Sequence, residues 1–236
     1  MTQIRLFVDP EELGRALADV IVEAYERSEG SFLLGCPGGR SLVTTYRALA
    51  QRGRDWSRLV VVMMDEYIGA TVGAHFSCRG FARRELGEPL GLPDEQVWLP
   101  DADNPSAYDE RIAQAGGIDV FLLASGASDG HVAFVPPGAP RDRGTAVLAL
   151  ADSTRRDNLA TFPGFTSLDE VPTHGVSVGL RTIASARALR LVLHGADKRA
   201  VAQRLLELES FDPDWPASIV HEHGDAEIWL DLEAVP

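Results

Sequence analysis

The 236-residue chain carries 22 basic against 35 acidic side chains, a formal net charge of −13, with 45% apolar residues, 22 Gly and 14 Pro. The apolar fraction argues against a disordered chain, the lack of a run of about 18 apolar residues argues against a membrane-spanning helix, and the acidic excess argues against a nucleic-acid partner. Two cysteines, Cys36 and Cys78, are too few for a disulfide framework or a zinc site, and the N-terminal MTQIRLFVDP has no signal-peptide pattern, so a reducing cytoplasm is the expected setting.

In chain order, short apolar runs alternate with amphipathic segments, which predicts α/β architecture around a mostly parallel sheet in a single domain, residues 1–236. A helix is expected over residues 10–28, then a buried strand at 31–34 (SFLL), a helix over 42–52 and a second strand at 59–64 (LVVVMM). Helices over 76–86 and 105–115 precede a strand at 118–123 (IDVFLL), after which 135–144 (VPPGAPRDRG) and 162–173 (FPGFTSLDEVPT) read as irregular loops. A strand at 189–193 (LRLVL), a helix over 197–209 and a terminal strand at 227–230 (EIWL) complete the pattern.

Four junctions carry residues with chemistry. After the first buried strand, Gly35, Gly38, Gly39, Arg40 and Ser41 form a glycine-rich turn into a helix, a geometry that offers backbone N–H groups and a helix N-terminus to an anion. At the end of the LVVVMM strand stand Asp65, Glu66 and Tyr67; Asp65 reads either as a partly desolvated proton shuttle or as a turn or helix cap. After the third strand, SDGHVAF places Asp129 two residues before His131, a pair suited to acid–base work. The fourth, LHGADKRAV, repeats the glycine turn and contains Lys198, the only lysine in the chain. With 21 arginines filling the other basic positions, a single retained lysine reads either as a phosphate contact where a planar guanidinium does not fit or as chance retention on a helix surface.

His174, His194 and His221 read as surface or packing residues, His75 near Ser77 as a rim candidate, and the Arg155–Arg156 pair as a solvated face. Tyr46, Trp56 and Trp229 are expected in the core, and no HExxH, CxxC or EF-hand pattern points to a metal.

Together and in this order, the four motifs resemble those of the glucosamine-6-phosphate deaminase and 6-phosphogluconolactonase family, over about residues 32–231. The deaminase branch is the nearer: LGCPGGRSLVTTYRAL is similar to its phosphate loop, MDEY to its signature, SDGHVAF to its Asp-Gly-His segment, VPTHGVSVGLRTI to its later strand and turn, and SIVHEHGDAEIWLD to the shared ending, with His223 at the usual histidine. The resemblance implies a Rossmann-like three-layer sandwich and a sugar 6-phosphate held by Gly38, Gly39, Ser41 and Lys198. It implies Asp65 as the base moving a proton between C1 and C2, His131 opening the ring, Asp129 in support, no external cofactor, and a homo-oligomer as an open option.

Four positions depart from the deaminase pattern: Pro136 stands where that branch has a glutamate, Ala160 where it has a phosphate-binding arginine, and Arg40 and Arg181 where it usually has glycine. These departures make Arg40 and Arg181 further candidates for the site, beside Glu66 of the MDEY motif, with Arg40 and Lys198 forming an anion clamp. They also leave two alternatives, a sugar-phosphate lactone hydrolase and a non-catalytic sugar-phosphate-binding module.

Overall fold

A computed structural model describes residues 2–71, 73–162 and 164–236. Ten strands and eight α-helices are placed: β1 (Gln3–Phe7), α1 (Pro10–Arg27), β2 (Phe32–Cys36), α2 (Val43–Gln51), β3 (Leu59–Met63), β4 (Asp65–Tyr67), α3 (Cys78–Ala82), α4 (Glu88–Leu90), β5 (Val97–Trp98), α5 (Pro105–Gln114), β6 (Val120–Ala124), β7 (Ala146–Ala149), α6 (Asp152–Thr161), β8 (His174–Ser177), α7 (Leu180–Ala184), β9 (Ala188–Leu193), α8 (Arg199–Glu207) and β10 (Ala226–Asp231). The helix expected over 76–86 is α3 continued through a π-helical turn, Arg83–Gly87, into α4.

Seven strands form one sheet in the order β1-β10-β9-β6-β2-β3-β5, with every neighbouring pair parallel. Side chains alternate across it: Phe32, Leu34 and Cys36 of β2 pack with Leu13, Leu17 and Tyr46 from α1 and α2, while Leu33, Phe121 and Leu123 pack with Ile112, Leu180 and Val201 on the other face. The result is the expected three-layer α/β sandwich. Gly35 is required where β2 meets β6, because a Cβ there would lie 2.0 Å from the Phe121 ring.

Besides the strands of a second, smaller sheet, β1, β5, α6 and α7 were absent from the sequence reading. β1 (QIRLF) is an edge strand whose first four residues are exposed, so it lacks the apolar run that betrays a buried strand. α6 (DSTRRDNLAT) buries only Thr154 and so has no apolar stripe. A small antiparallel sheet, β4-β8-β7, was also unforeseen; it pairs Asp65 with Ser177 and so anchors the segment leaving β3. Of the irregular stretch expected at 162–173, Pro163 lies outside the described residues. No described helix is long and apolar enough to cross a membrane.

In the sheet order, β2 and β6 are neighbours from which the chain runs in opposite directions. Such a switch point opens a crevice beyond the carboxyl ends of the strands, because the following loops part to either side.

Candidate active site

A cleft of about 490 Å³ occupies this crevice. Four strand ends feed it: Gly38, Gly39, Arg40 and Ser41 after β2, Asp65 and Tyr67 after β3, Ser125 to Ala127 and His131 after β6, and His194 and Lys198 after β9. All four chemistry-bearing junctions of the sequence therefore converge.

Asp65 is 5% exposed. Its Oδ1 accepts a hydrogen bond from the Cys78 thiol at 3.2 Å. Burial, assisted by the charge of Glu66, pushes its carboxyl up to about 7 against the smaller opposing pull of Cys78 and His131. A carboxylate so placed is half ionised near neutrality, the condition in which it both takes and returns a proton efficiently.

His131 is also buried, and its Nδ1 lies 2.6 Å from Asp129 Oδ1. Donation of Nδ1–H to that carboxylate leaves Nε2 as the basic nitrogen of the neutral ring. Asp129 additionally accepts the His131 backbone N–H at 3.1 Å and the Ser153 hydroxyl. Burial alone would raise the Asp129 carboxyl, but the bonds and charge of His131 and the Ser153 hydroxyl outweigh it and hold it down to about 2. Gly126 makes room for the imidazole, since a Cβ at that position would lie 2.1 Å from ring atoms. The same loop holds Ala133 at φ 51°, a left-handed conformation uncommon outside glycine.

The cationic end is built by the two glycine turns. Gly39 at φ 87° and Gly195 at φ 85° allow the chain to reverse after β2 and β9. Gly195 is pinned by its N–H donating to the buried Asp231 carboxylate at 3.0 and 3.1 Å. Lys198 then reaches back to donate from Nζ to the Ser125 carbonyl at 2.9 Å, and Arg40 lines the same cleft with its side chain exposed. Burial lowers the Lys198 ammonium below its usual range, with Asp197 and Asp157 opposing that shift and Arg40 adding to it.

Among the sequence candidates, Asp129, Glu66 and Arg181 do not line the cleft; Asp129 acts through His131, which does. Glu66 points the other way from Asp65 along β4 and is a cap: it accepts the backbone N–H groups of Cys78 and Arg79, each at 2.9 Å, and the Ser77 hydroxyl at 3.1 Å. Arg181, on α7, is exposed and pairs with Asp109 at 3.4 Å. Its position in the sequence suggested a site role because it replaces an expected glycine, but it does not line the cleft.

The structure also changes the reading of several other residues. His194 is a cleft residue whose Nε2–H donates to the Ser41 carbonyl at 3.1 Å, tying the two glycine turns together. Arg155 is no solvated side chain, since its Nη2 donates to the carbonyls of Leu168 and Val171. His75 packs on Phe76 and Phe165 without lining the cleft, and His223 donates to the Ala186 carbonyl at 2.8 Å.

Sequence reasoning missed Asp157 of α6, whose Oδ2 accepts the N–H groups of Ala127 and Ser128 at 3.0 and 3.3 Å and the Ser128 hydroxyl at 3.0 Å. The one available signal was its spacing of four from Ser153, which puts both on one helix face. Asp129, His131 and Asp157 offer ligand atoms within 4.8 Å of one another, yet their hydrogen bonds already use several of those lone pairs.

Known proteins resemble this chain over most of its length. The family model described as glucosamine-6-phosphate isomerases/6-phosphogluconolactonase matches residues 8–229. A glucosamine-6-phosphate deaminase of Bacillus pumilus is 33% identical over 97% of this chain and 96% of its own length. One from Rhodococcus opacus is 37% identical over 95% and 88%. The solved structure of a monomeric glucosamine-6-phosphate deaminase superimposes with a TM-score of 0.90 at 26% identity, covering 99% of this chain and 98% of that one. A 6-phosphogluconolactonase from Trypanosoma cruzi shares the fold, with a TM-score of 0.76 at 21% identity over 99% and 96% of the two chains.

Proposed function

Because the chain belongs to the family of glucosamine-6-phosphate isomerases and 6-phosphogluconolactonases, we propose that it is an aldose–ketose isomerase and deaminase of an amino-sugar 6-phosphate. The observation that carries this reading is a single cleft in which a buried, half-ionisable carboxylate and an oriented imidazole stand beside a cationic end.

The phosphate sits between the two glycine turns, where Lys198, Arg40, the Ser41 hydroxyl and the backbone of Gly38 and Gly39 supply positive charge and donors. His131, held through Nδ1 by Asp129, uses Nε2 to carry the anomeric hydroxyl proton to the ring oxygen, which opens the sugar. Ionised Asp65 then removes the proton from C2 and returns it to C1, while the C1 carbonyl oxygen takes up the proton that the C2 ammonium group gives up and the C2–N bond becomes a protonated imine. Water adds to that imine, the C–N bond breaks, and ammonia leaves with the ketose phosphate as the other product. These steps need placed bases and charge stabilisation only.

Purified protein incubated with a panel of sugar 6-phosphates and sugar-phosphate lactones, with ammonia, ketose and acid release followed separately, tests the reading. Ammonia together with ketose from glucosamine 6-phosphate is the expected result. Acid release from a lactone without ammonia from any amino sugar would replace it with the lactonase reading, and binding without turnover would leave a sugar-phosphate-binding module.

A further inference from the structure

Cys78 lies 13 residues beyond Asp65, on a different element, yet its thiol is the hydrogen-bond donor to the Asp65 carboxylate. Building on the proposed role of Asp65, we propose that Cys78 is a positioning residue for that carboxylate, holding Oδ1 so that Oδ2 is presented to the substrate.

The thiol's placement is over-determined. Its own backbone N–H donates to Glu66 at 2.9 Å, and the flanking Ser77 and Arg79 are held by the same carboxylate, so the first turn of α3 is fastened to β4 at the residue next to Asp65. Opposite lies Gly38, where a Cβ would meet Sγ at 3.6 Å, an ordinary van der Waals contact. Cys78 is 4% exposed and lines the cleft beside Asp65. Oδ2 of Asp65 has no hydrogen-bond partner among the described residues, which leaves it for a reacting C–H.

The chemistry favours a thiol in this role. Burial first, then the charges of Asp65 and Glu66, push the Cys78 thiol well above its usual range, so it stays protonated and remains a donor. S–H is a weak donor, so it orients the carboxylate while taking little from its basicity; a hydroxyl would bind the anion more strongly and weaken the base. The other groups that bear on Asp65 are Glu66 and Tyr67 on its own strand, His131 after β6, Tyr46 on α2 and Tyr108 on α5, and neither substitution below alters them.

The experiment compares Cys78→Ser and Cys78→Ala with the wild type. The titration of Asp65 is followed by carboxyl-carbon NMR, with Asp65→Asn identifying its resonance, and the pH dependence of ammonia release from glucosamine 6-phosphate is followed in parallel. The expected outcome is a midpoint for Asp65 that moves up in Cys78→Ala and down in Cys78→Ser, with kcat reduced roughly 10- to 100-fold in the alanine variant and partly restored by serine. KM should change far less. Midpoints that stay put, or that move in the same direction in both variants, overturn the proposal. The NMR titration reads the Cys78–Asp65 coupling in the resting protein, so a wild type that released no ammonia would count against the function proposed above while leaving this inference to its own result.

Discussion

Asp129 and His131 are joined twice within one tight turn: a single carboxylate oxygen accepts the imidazole Nδ1–H at 2.6 Å and the backbone N–H of the same histidine at 3.1 Å. That double attachment fixes both the tautomer and the direction of the ring, so the basic nitrogen has one outlet, toward the cleft. His131→Gln and Asp65→Asn should each lower kcat by about 10²–10⁴-fold with little change in substrate affinity, since general acid–base groups act mainly in the transition state. Steady-state kinetics on folded variants checks this, and either variant retaining the wild-type rate refutes the acid–base assignment.

The Asp65 carboxyl, raised by burial to about 7 from an unfolded value near 3.8, makes the fold itself pH-dependent. Its sign follows from proton binding: between those two values the unfolded chain has released the proton that the folded chain retains, so the contribution is fully present below the unfolded value and is lost as pH rises through about 7. Asp65→Asn carries no such ionisation. Denaturant titrations should therefore show the variant gaining on the wild type between pH 4 and 7, by on the order of a few kcal/mol, and then levelling off. A constant difference across that range would contradict the burial argument.

The anion clamp is testable at Lys198. Loss of one charge-assisted contact costs about 1.5–3 kcal/mol, so Lys198→Ala should weaken binding of a sugar 6-phosphate roughly 10- to 150-fold. Lys198→Arg should also weaken it, because the planar fork cannot both reach the Ser125 carbonyl and act as a compact charge on phosphate. Calorimetric titration with the substrate or a non-reactive sugar 6-phosphate measures both, and unchanged affinity in the alanine variant removes Lys198 from the clamp.

Asp157 places a carboxylate on the cleft wall, within the field of Lys198. Asp157→Asn keeps an oxygen for the Ala127 and Ser128 N–H groups and removes the charge that opposes a phosphate dianion. KM should fall by roughly five-fold, corresponding to about 1 kcal/mol for unit charges a few ångströms apart in a wet site. A rise in KM would instead show that Asp157 contacts the substrate directly.

Arg181→Ala supplies the control, since its guanidinium pairs with Asp109 at an exposed position away from the cleft. Turnover should be unchanged and stability altered by no more than about 1 kcal/mol, as for other exposed ion pairs. A large loss of kcat would return Arg181 to the site.

How much of this was legible in the chain depends on the range of the interactions concerned. Buried strands announced themselves as apolar runs, and glycine turns followed by helices announced the anion end, because those signals are local consequences of burial and backbone geometry. Asp65, His131, Arg40, Ser41 and Lys198, all of which line the cleft, were therefore recognisable as candidates in one dimension, as was Asp129 beside His131. Strand order was not, and strand order is what makes β2 and β6 neighbours and brings four distant junctions to one crevice. Local alternation then separated adjacent residues: along β4, Asp65 and Tyr67 turn into the cleft while Glu66 turns away to cap α3. Cys78, Asp157 and His194 reach the site from the first turn of α3, a polar helix and a turn, and only long-range packing puts their side chains beside the four motifs. A side chain's type states what chemistry it can do; its direction and its neighbours follow from contacts between segments far apart in the chain, and those contacts form only when the fold does.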